Sequence, residues 1–458
     1  MTTINPIETR PLRPLFLSYL FPAMIGMLLM SVNILVDGIF VSHGVGPTAL
    51  AGVNIAVPIF SILLSISLWI GMGGATLFSI SLGEGNKKRA HQLFTLAFTT
   101  MIVVVMTLIL ILLLNLKKIS YIFGASDATF PYAQEYLHVI LIFGVFYTIE
   151  NLLSIFIRND GNPKLAMMGL ITTSVLNIIL NYIFIFVLNY GVTGCALATA
   201  LSTIIGMSVL CLHFFRKQSE LKFVRKFFSL SDLKKIFAIG LPSFIVEASV
   251  AVMVILYNVT FLRYLGSDGV TAYAMINYIH TVLLTVFLGV GMALQPLVSY
   301  HHGARLIERL TALLKIGIAT AFILGLTTVI IATLFPSQLI ALFGDSTFEI
   351  RNMAAQGFVH FAIGYVFLGV NMVFAEFFQS IEKIRLATTI MLLRSIILFI
   401  PALVLLPKFL GPQAIWWTFP VAEGITALLI VIFMKKKTHT IFSEASSKGA
   451  INKANPLY

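Results

Sequence analysis

Apolar residues run along this chain in blocks of roughly 20 or more, separated by short polar punctuation. Twelve such blocks lie at 14–40, 50–80, 91–116, 131–157, 163–187, 191–214, 234–263, 270–299, 310–334, 350–379, 385–406 and 412–434. Each is long enough to cross a hydrocarbon core about 30 Å thick as a helix, the form that satisfies every backbone group within the segment. The pattern predicts an all-α integral membrane protein of twelve transmembrane helices. Composition agrees: 59% of the 458 residues are hydrophobic and 10% charged, too little polar surface for a soluble globule of this size.

The chain also repeats itself. YLFPAMIG at Pro22 answers AIGLPSFI at Pro242, Phe123 and Gly124 answer Phe343 and Gly344, Asn151 answers Asn371, and Gly191 answers Gly411, all with an offset of 220. TALAGVN from Thr48 matches TAYAMIN from Thr271, and Gly71 and Gly73 match Gly289 and Gly291. Six spans per half is an even number, so both halves enter the membrane from the same side, a parallel repeat of the kind built into secondary transporters. The divisions expected are a first lobe at 1–215, a basic linker at 216–233, a second lobe at 234–435 and a tail at 436–458.

A net charge of +12 raises the question of nucleic acid, and placement answers it. Arg10, Arg13, Lys87, Lys88, Arg89, Arg158, Lys164, the cluster from Arg216 to Lys235, Arg305, Arg309, Lys315, Lys383, Arg385 and the tail fall on one side; Lys117, Lys118, Arg263, Arg351 and Lys408 fall on the other. This asymmetry places both termini in the cytoplasm and makes nucleic-acid binding unnecessary. The polar first thirteen residues precede no small-residue cleavage site, so the first span reads as a retained anchor. Cys195 and Cys211 share one helix about 24 Å apart, too far for a disulfide, and read as buried small apolar residues. No nucleotide-binding glycine loop, nucleophile elbow or HExxH is present, the nine histidines lack metal-ligand spacing, and no cofactor is called for. His301 and His302 read as a cytoplasmic loop pair. Uphill transport would then draw on an ion gradient.

The spans contain Asp37, Glu150, Glu247, Glu376, Glu423 and Arg394. A charge at mid-bilayer costs at least about 2.5 to 3.5 kcal/mol, so each is a functional candidate. Asp37 leads. Asn33 sits one turn before it, while Asn177 and Asn181 share a face of the fifth span; amides can hydrogen-bond a carboxyl in either protonation state. The plainer alternative is a structural carboxylate held by those amides. Glu247 and Glu376 would either attract a cationic substrate or pair with Arg394. Pro22 and Pro242 would bend the first helix of each half, as hinges or as static kinks, and Gly26 and Gly38 would loosen the first helix of the chain further. Tyr147, Tyr182, Tyr273, Tyr278 and Met275 are the aromatic and thioether side chains nearest polar positions, and so the candidate lining of a substrate cavity.

These residues resemble the MATE (multidrug and toxic compound extrusion) transporters, from VDGIFVSHGVGPTALAGVNIAVPI through TAYAMIN to GPQAIWW, with closer similarity to the DinF-like prokaryotic branch. The resemblance implies two six-helix lobes in a V, export of bulky and often cationic compounds, and coupling to H+ or Na+. In that branch the position of Asp37 couples the cation, within a cluster whose matching residues here are Asn177, Asn181 and Thr199. Many relatives carry a second Asp where this chain has Asn181, a loss that weakens a hard-cation site more than a protonation site. Glu247 does not fall at the spacing of the second-lobe carboxylates used in the other branch.

The expectation is therefore a proton-coupled efflux antiporter for lipophilic or cationic small molecules, not an enzyme, acting as a monomer in the inner membrane of a prokaryote. Sodium coupling is the alternative. A lipid-linked oligosaccharide flippase would need a basic cavity, and only Arg394 lies deep. A membrane enzyme would rest on a weak loop pair, Asp127 with Glu135. A passive channel would need a charged ring or filter motif.

Overall fold

The computed structural model of the protein describes residues 6–343 and 347–453, with side chains at all of these except residues 6, 34 and 437–453. Gly344 of the repeat and residues 454–458 of the expected tail lie outside the described residues. No strand occurs among those described. The helices of the spanning region are α1 (Leu12–Gly44), α2 (Pro47–Gly83), α3 (Lys87–Leu114), α4 (Phe130–Asn159), α5 (Pro163–Val187), α6 (Gly191–Phe215), α7 (Leu230–Gly303), α8 (Ile307–Leu334), the shorter α9 (Phe348–Ala362) and α10 (Gly364–Ser380), α11 (Ile384–Leu410) and α12 (Pro412–Lys436).

α9 and α10 meet at 41° and form one bent span. The 74 residues of α7 would reach about 110 Å if straight, several times a bilayer, but the helix breaks at Gly266, whose φ of 66° and ψ of −161° are open to glycine and strained for other residues. Two arms result, and with the bent pair counted once the predicted twelve spans are recovered.

The backbone itself repeats. Residues with left-handed φ pair across the halves as Gly46 with Gly266, Gly85 with Arg305, Gly161 with Glu382 and Gly191 with Gly411, at offsets of 220 or 221. Gly46 separates α1 from α2; Gly266 makes the same break inside α7. Short loops of GN type set the turns that follow α2 and α4, with Asn86 and Asn162 capping α3 and α5 by accepting from the amides of Arg89 and Leu165.

The chain divides into two compact units, described here so far as their residues are described. The first comprises Phe21–Leu82 and Asn86–Glu247; the second comprises Met1–Leu20, Gly83–Gly85 and Ala248–Tyr458. The change of unit within α1 falls beside Pro22, and within α7 it falls five residues after Pro242.

Within the first unit, α6 packs on both α4 and α5. The first arm of α7 joins this unit through two glycines: a Cβ on Gly240 would lie 1.7 Å from the Trp69 carbonyl oxygen of α2, and one on Gly73 2.0 Å from that of Ile236. The missing side chains let the backbones touch, and the Trp69 indole donates to the Phe237 carbonyl at 2.7 Å. The basic linker is pinned to the same unit. Lys87 donates to Glu220 at 2.5 Å, His91 meets the other Glu220 oxygen at 3.1 Å, and Arg89 reaches Asp232 at 3.4 Å. Burial pushes the Glu220 carboxyl up, but the bonds from Lys87 and His91 outweigh it and hold the group below its usual value. Below it, the fully buried His213 donates to Asp160 at 2.7 Å, and Asp160 also accepts the Glu220 amide at 2.9 Å.

The second unit is centred on an aromatic cluster in which Phe261 stands 4.4 Å from Trp416, and Phe361 stacks on Phe419 at 4.5 Å. His301 and His302 are helical, at the end of α7, and not a loop pair. His301 is buried, donating to the Leu297 carbonyl at 2.7 Å and accepting from Arg309 at 2.8 Å, because the helix runs on to Gly303. Cys195 is buried and Cys211 only partly so.

Candidate functional site

Asp37 lies seven residues from the end of α1, in the first unit, partly buried. Asn181 donates to its Oδ1 at 2.6 Å, and the same amide nitrogen reaches Asn177 Oδ1 at 3.1 Å. Asn177 donates in turn to the Thr199 hydroxyl at 3.2 Å, and Thr199 donates to the Cys195 carbonyl one turn back on α6. A chain of neutral donors thus runs from the carboxylate on α1 through α5 to α6. Asn177 and Asn181 are 2% and 0% exposed, so water does not compete for these bonds.

The local sequence explains the placement. Asn177 and Asn181 are one α-turn apart, which puts both amides on one face of α5. Immediately beyond, Ile183–Val187 widens into a π turn, a feature that recurs at functional sites and that periodicity alone does not reveal. Tyr136 of α4 was not among the sequence candidates; its ring is 4% exposed and its hydroxyl faces Thr199, within electrostatic reach of Asp37. A tyrosine in an otherwise ordinary stretch of α4 carried no signal.

Two oxygens in this region have no hydrogen-bond partner: Asn181 Oδ1 and Asn33 Oδ1. Asn33 lies one turn back on α1 from Asp37, so unspent acceptor capacity surrounds the carboxyl.

The other candidates are dispersed. Tyr147 is packed edge-on to Phe60 in the first unit, near both Glu150 and Glu247. Tyr182 is exposed and tilted against Phe186; Tyr278 is exposed and stacked on Phe343. Tyr273 and Met275 sit in the aromatic core of the second unit, where Tyr273 stacks on Phe261 at 5.0 Å. Glu376 is buried with Oε2 unpartnered and its side chain against Gly291. Pro22, Gly26 and Pro242 are buried within their helices; the space beside Gly26 is taken by Leu170 of α5, and Gly38 lies nearest Leu50.

Arg394 does not pair with Glu247 or Glu376. Its partner is Glu423 of α12, at 2.6 Å from Nη2 and 2.8 Å from Nε, and Asn371 of α10 donates to the other carboxylate oxygen at 2.7 Å. The Arg394 charge is therefore neutralised inside a three-helix knot. Asp127 and Glu135 also have separate partners, Tyr121 and Thr193, and form no catalytic pair.

A carboxyl on a proline-containing helix, answered by buried amides in a duplicated twelve-span membrane fold, is the architecture of a polytopic membrane transporter. The sequence model of the MatE family matches residues 22–183 and again 242–405, so both copies of the repeat are recognised, each from its proline. The chain belongs to the MatE family. It is 24% identical over 426 residues to the multidrug export protein MepA of Staphylococcus saprophyticus, covering 92% of this chain and 93% of that protein. MepA of Staphylococcus aureus is 23% identical over 439 residues, with 95% and 96% covered. A solved structure described as the outward-facing conformation of a multidrug resistance MATE family transporter of the MOP superfamily superposes with a TM-score of 0.90 at 23% identity, covering 98% of this chain and all of that one.

Proposed function

We propose that the protein is a proton-driven exporter of bulky lipophilic or cationic small molecules, working by antiport across a prokaryotic plasma membrane with both termini in the cytoplasm. The observation that carries the reading is the Asn181–Asp37 bond in its setting. A single carboxyl faces carboxamides that can donate to the carboxylate or, turned over, accept from the acid. With the proton off, Asn181 donates to Asp37; with the proton on, the free Asn181 Oδ1 is the acceptor for the acid O–H. Proton loading then re-forms the contacts between α1 and α5. α1 carries Pro22 between Asp37 and its cytoplasmic end, so a change at Asp37 can be taken up as a bend. Exchange follows if proton and substrate favour opposite states of this helix.

The export of drugs attributed by name to the MepA proteins supports the substrate class. One observation favours sodium as the coupling ion: the unpartnered Asn181 and Asn33 oxygens are ligands a hard cation would use. One carboxylate with neutral amides offers little charge to such an ion, and the proton is preferred. The flippase alternative loses its deep base to Glu423. Proteoliposomes loaded with a fluorescent lipophilic cation decide between the ions. The expected result is export under an imposed pH gradient without sodium; export under a sodium gradient alone would replace the proton with sodium.

A further inference from the structure

Glu150 on α4 is 2% exposed, lies in the first unit, and has no role in the Asp37 network. Its Oε1 accepts from the Thr173 hydroxyl of α5. That hydroxyl is also 3.4 Å from the Ser202 carbonyl of α6. Gly206 of α6 leaves the room: a Cβ there would sit 1.8 Å from the Thr173 oxygen and 2.5 Å from Glu150 Oε1.

The second unit contains a counterpart. Asn371, Arg394 and Glu423 each lie 221 residues beyond Glu150, Thr173 and Ser202, within one residue of the repeat, and tie the corresponding three helices. There the carboxylate is balanced by a guanidinium, so the knot is neutral with Glu423 ionised. In the first unit the guanidinium position is held by a threonine. That knot is neutral only when Glu150 carries a proton itself, and an uncompensated carboxylate at this depth is strongly disfavoured.

We propose that Glu150 is a second proton-binding site of the first unit, distinct from Asp37. The Thr173 hydroxyl accommodates both states. With Glu150 ionised, Thr173 donates to the carboxylate. When a proton arrives, the new carboxyl O–H donates to the Thr173 oxygen and the Thr173 proton turns to the Ser202 carbonyl. The contact between Thr173 and Glu150 is kept in both states, and no charged partner has to move.

The titratable groups facing Glu150 are few. Tyr147 stands one turn earlier on α4 and lies within reach of Glu247 from α7; α5 and α6 present Thr173, Ser202 and Gly206. A small, mostly apolar cavity of about 10 Å³ lies nearby, with Tyr147, Thr199 and Thr203 among its lining. Thr199 belongs to the Asp37 chain, and the Ser202 hydroxyl donates to the Thr199 carbonyl at 3.0 Å. Glu150, through Thr173, and the Asp37 network, through Asn177, therefore meet the same face of α6, at Ser202 and Thr199.

The use of this site in transport rests on the proton-driven reading, but its existence does not, and the test separates the two. Infrared spectra of the purified full-length protein in lipid nanodiscs are recorded at neutral and alkaline pH for wild type, Glu150→Gln, Asp37→Asn and Thr173→Val. The expected result is a protonated-carboxyl C=O band that survives Asp37→Asn, disappears in Glu150→Gln, and weakens at alkaline pH. Thr173→Val, which keeps the carboxyl and removes its partner, should shift that band. A wild-type spectrum with no band lost in Glu150→Gln, or a band indifferent to Thr173→Val, would overturn the assignment, whatever Asp37→Asn does to transport.

Discussion

Arg394 on α11 grips Glu423 on α12 through two nitrogens on one carboxylate oxygen, at 2.6 and 2.8 Å, both side chains less than a tenth exposed. The geometry is that of a structural pair: Asn371 donates to the second oxygen, and both side chains are buried. Removing one partner strands the other. Glu423→Gln is expected to lower stability by about 3 to 5 kcal/mol, whereas the double change Glu423→Leu with Arg394→Met should recover most of that loss. Thermal unfolding in detergent measures both; a single variant as stable as wild type would contradict the pairing.

The glycine contact between α2 and the first arm of α7 is equally specific. Gly240→Ala places a methyl carbon inside the Trp69 carbonyl, so the helices must part, at a cost of about 1 to 3 kcal/mol. Gly240→Ala and Trp69→Phe, which deletes the indole bond to Phe237, should each lower the unfolding midpoint, and less than additively when combined, since both loosen the same contact.

At the turn before α11, Glu382 has a φ of 60°, while Gly161 has 79° at the matching turn of the first half. The left-handed conformation costs a side-chain-bearing residue about 1 to 2 kcal/mol, and glycine releases it at some expense in chain entropy. Glu382→Gly is expected to raise stability by up to about 1 kcal/mol, read from the shift in unfolding midpoint. A loss would mean that the Glu382 side chain does something in the turn.

Glu220 sets an acid limit on the linker. Its folded carboxyl titrates below the unfolded value of 4.5, so its contribution is fully present above that pH and is lost as pH falls through the lower folded value. The Lys87 side chain is 66% exposed, which keeps the contribution small, at most about 1 kcal/mol after screening. Wild type and Glu220→Gln should differ by a constant small margin at neutral pH, closing below about pH 4.5. Unfolding midpoints across that range give the comparison.

Much of this was legible in the chain. Twelve spans and the 220-residue repeat follow from hydropathy and from matched Pro and Gly positions, because a bilayer fixes helix length and each half must make the same turns. Asn177 and Asn181 could be placed on one face by spacing alone. What sequence did not show is which buried groups face one another. Glu247 and Glu376 were the possible partners offered for Arg394, and only the packing of α11 on α12 reveals that it pairs with Glu423. Tyr136 was invisible because an aromatic residue in a membrane helix is unremarkable until its hydroxyl is seen beside Thr199. The exchange of unit beside Pro22 and just past Pro242 likewise depends on contacts such as Gly240 with Trp69, for which isolated glycines give no warning.

The central claim is that Asp37 carries the driving proton. Counterflow and gradient-driven export of a fluorescent lipophilic cation are measured in proteoliposomes containing wild type or Asp37→Asn. The amide keeps the size and the bond partners of the carboxyl but cannot load a proton. The account predicts that Asp37→Asn folds and binds the cation yet loses export under a pH gradient, a drop of at least about tenfold as expected for removing a coupling group. Gradient-driven export undiminished in Asp37→Asn would contradict it and leave Asp37 a structural residue held by Asn181.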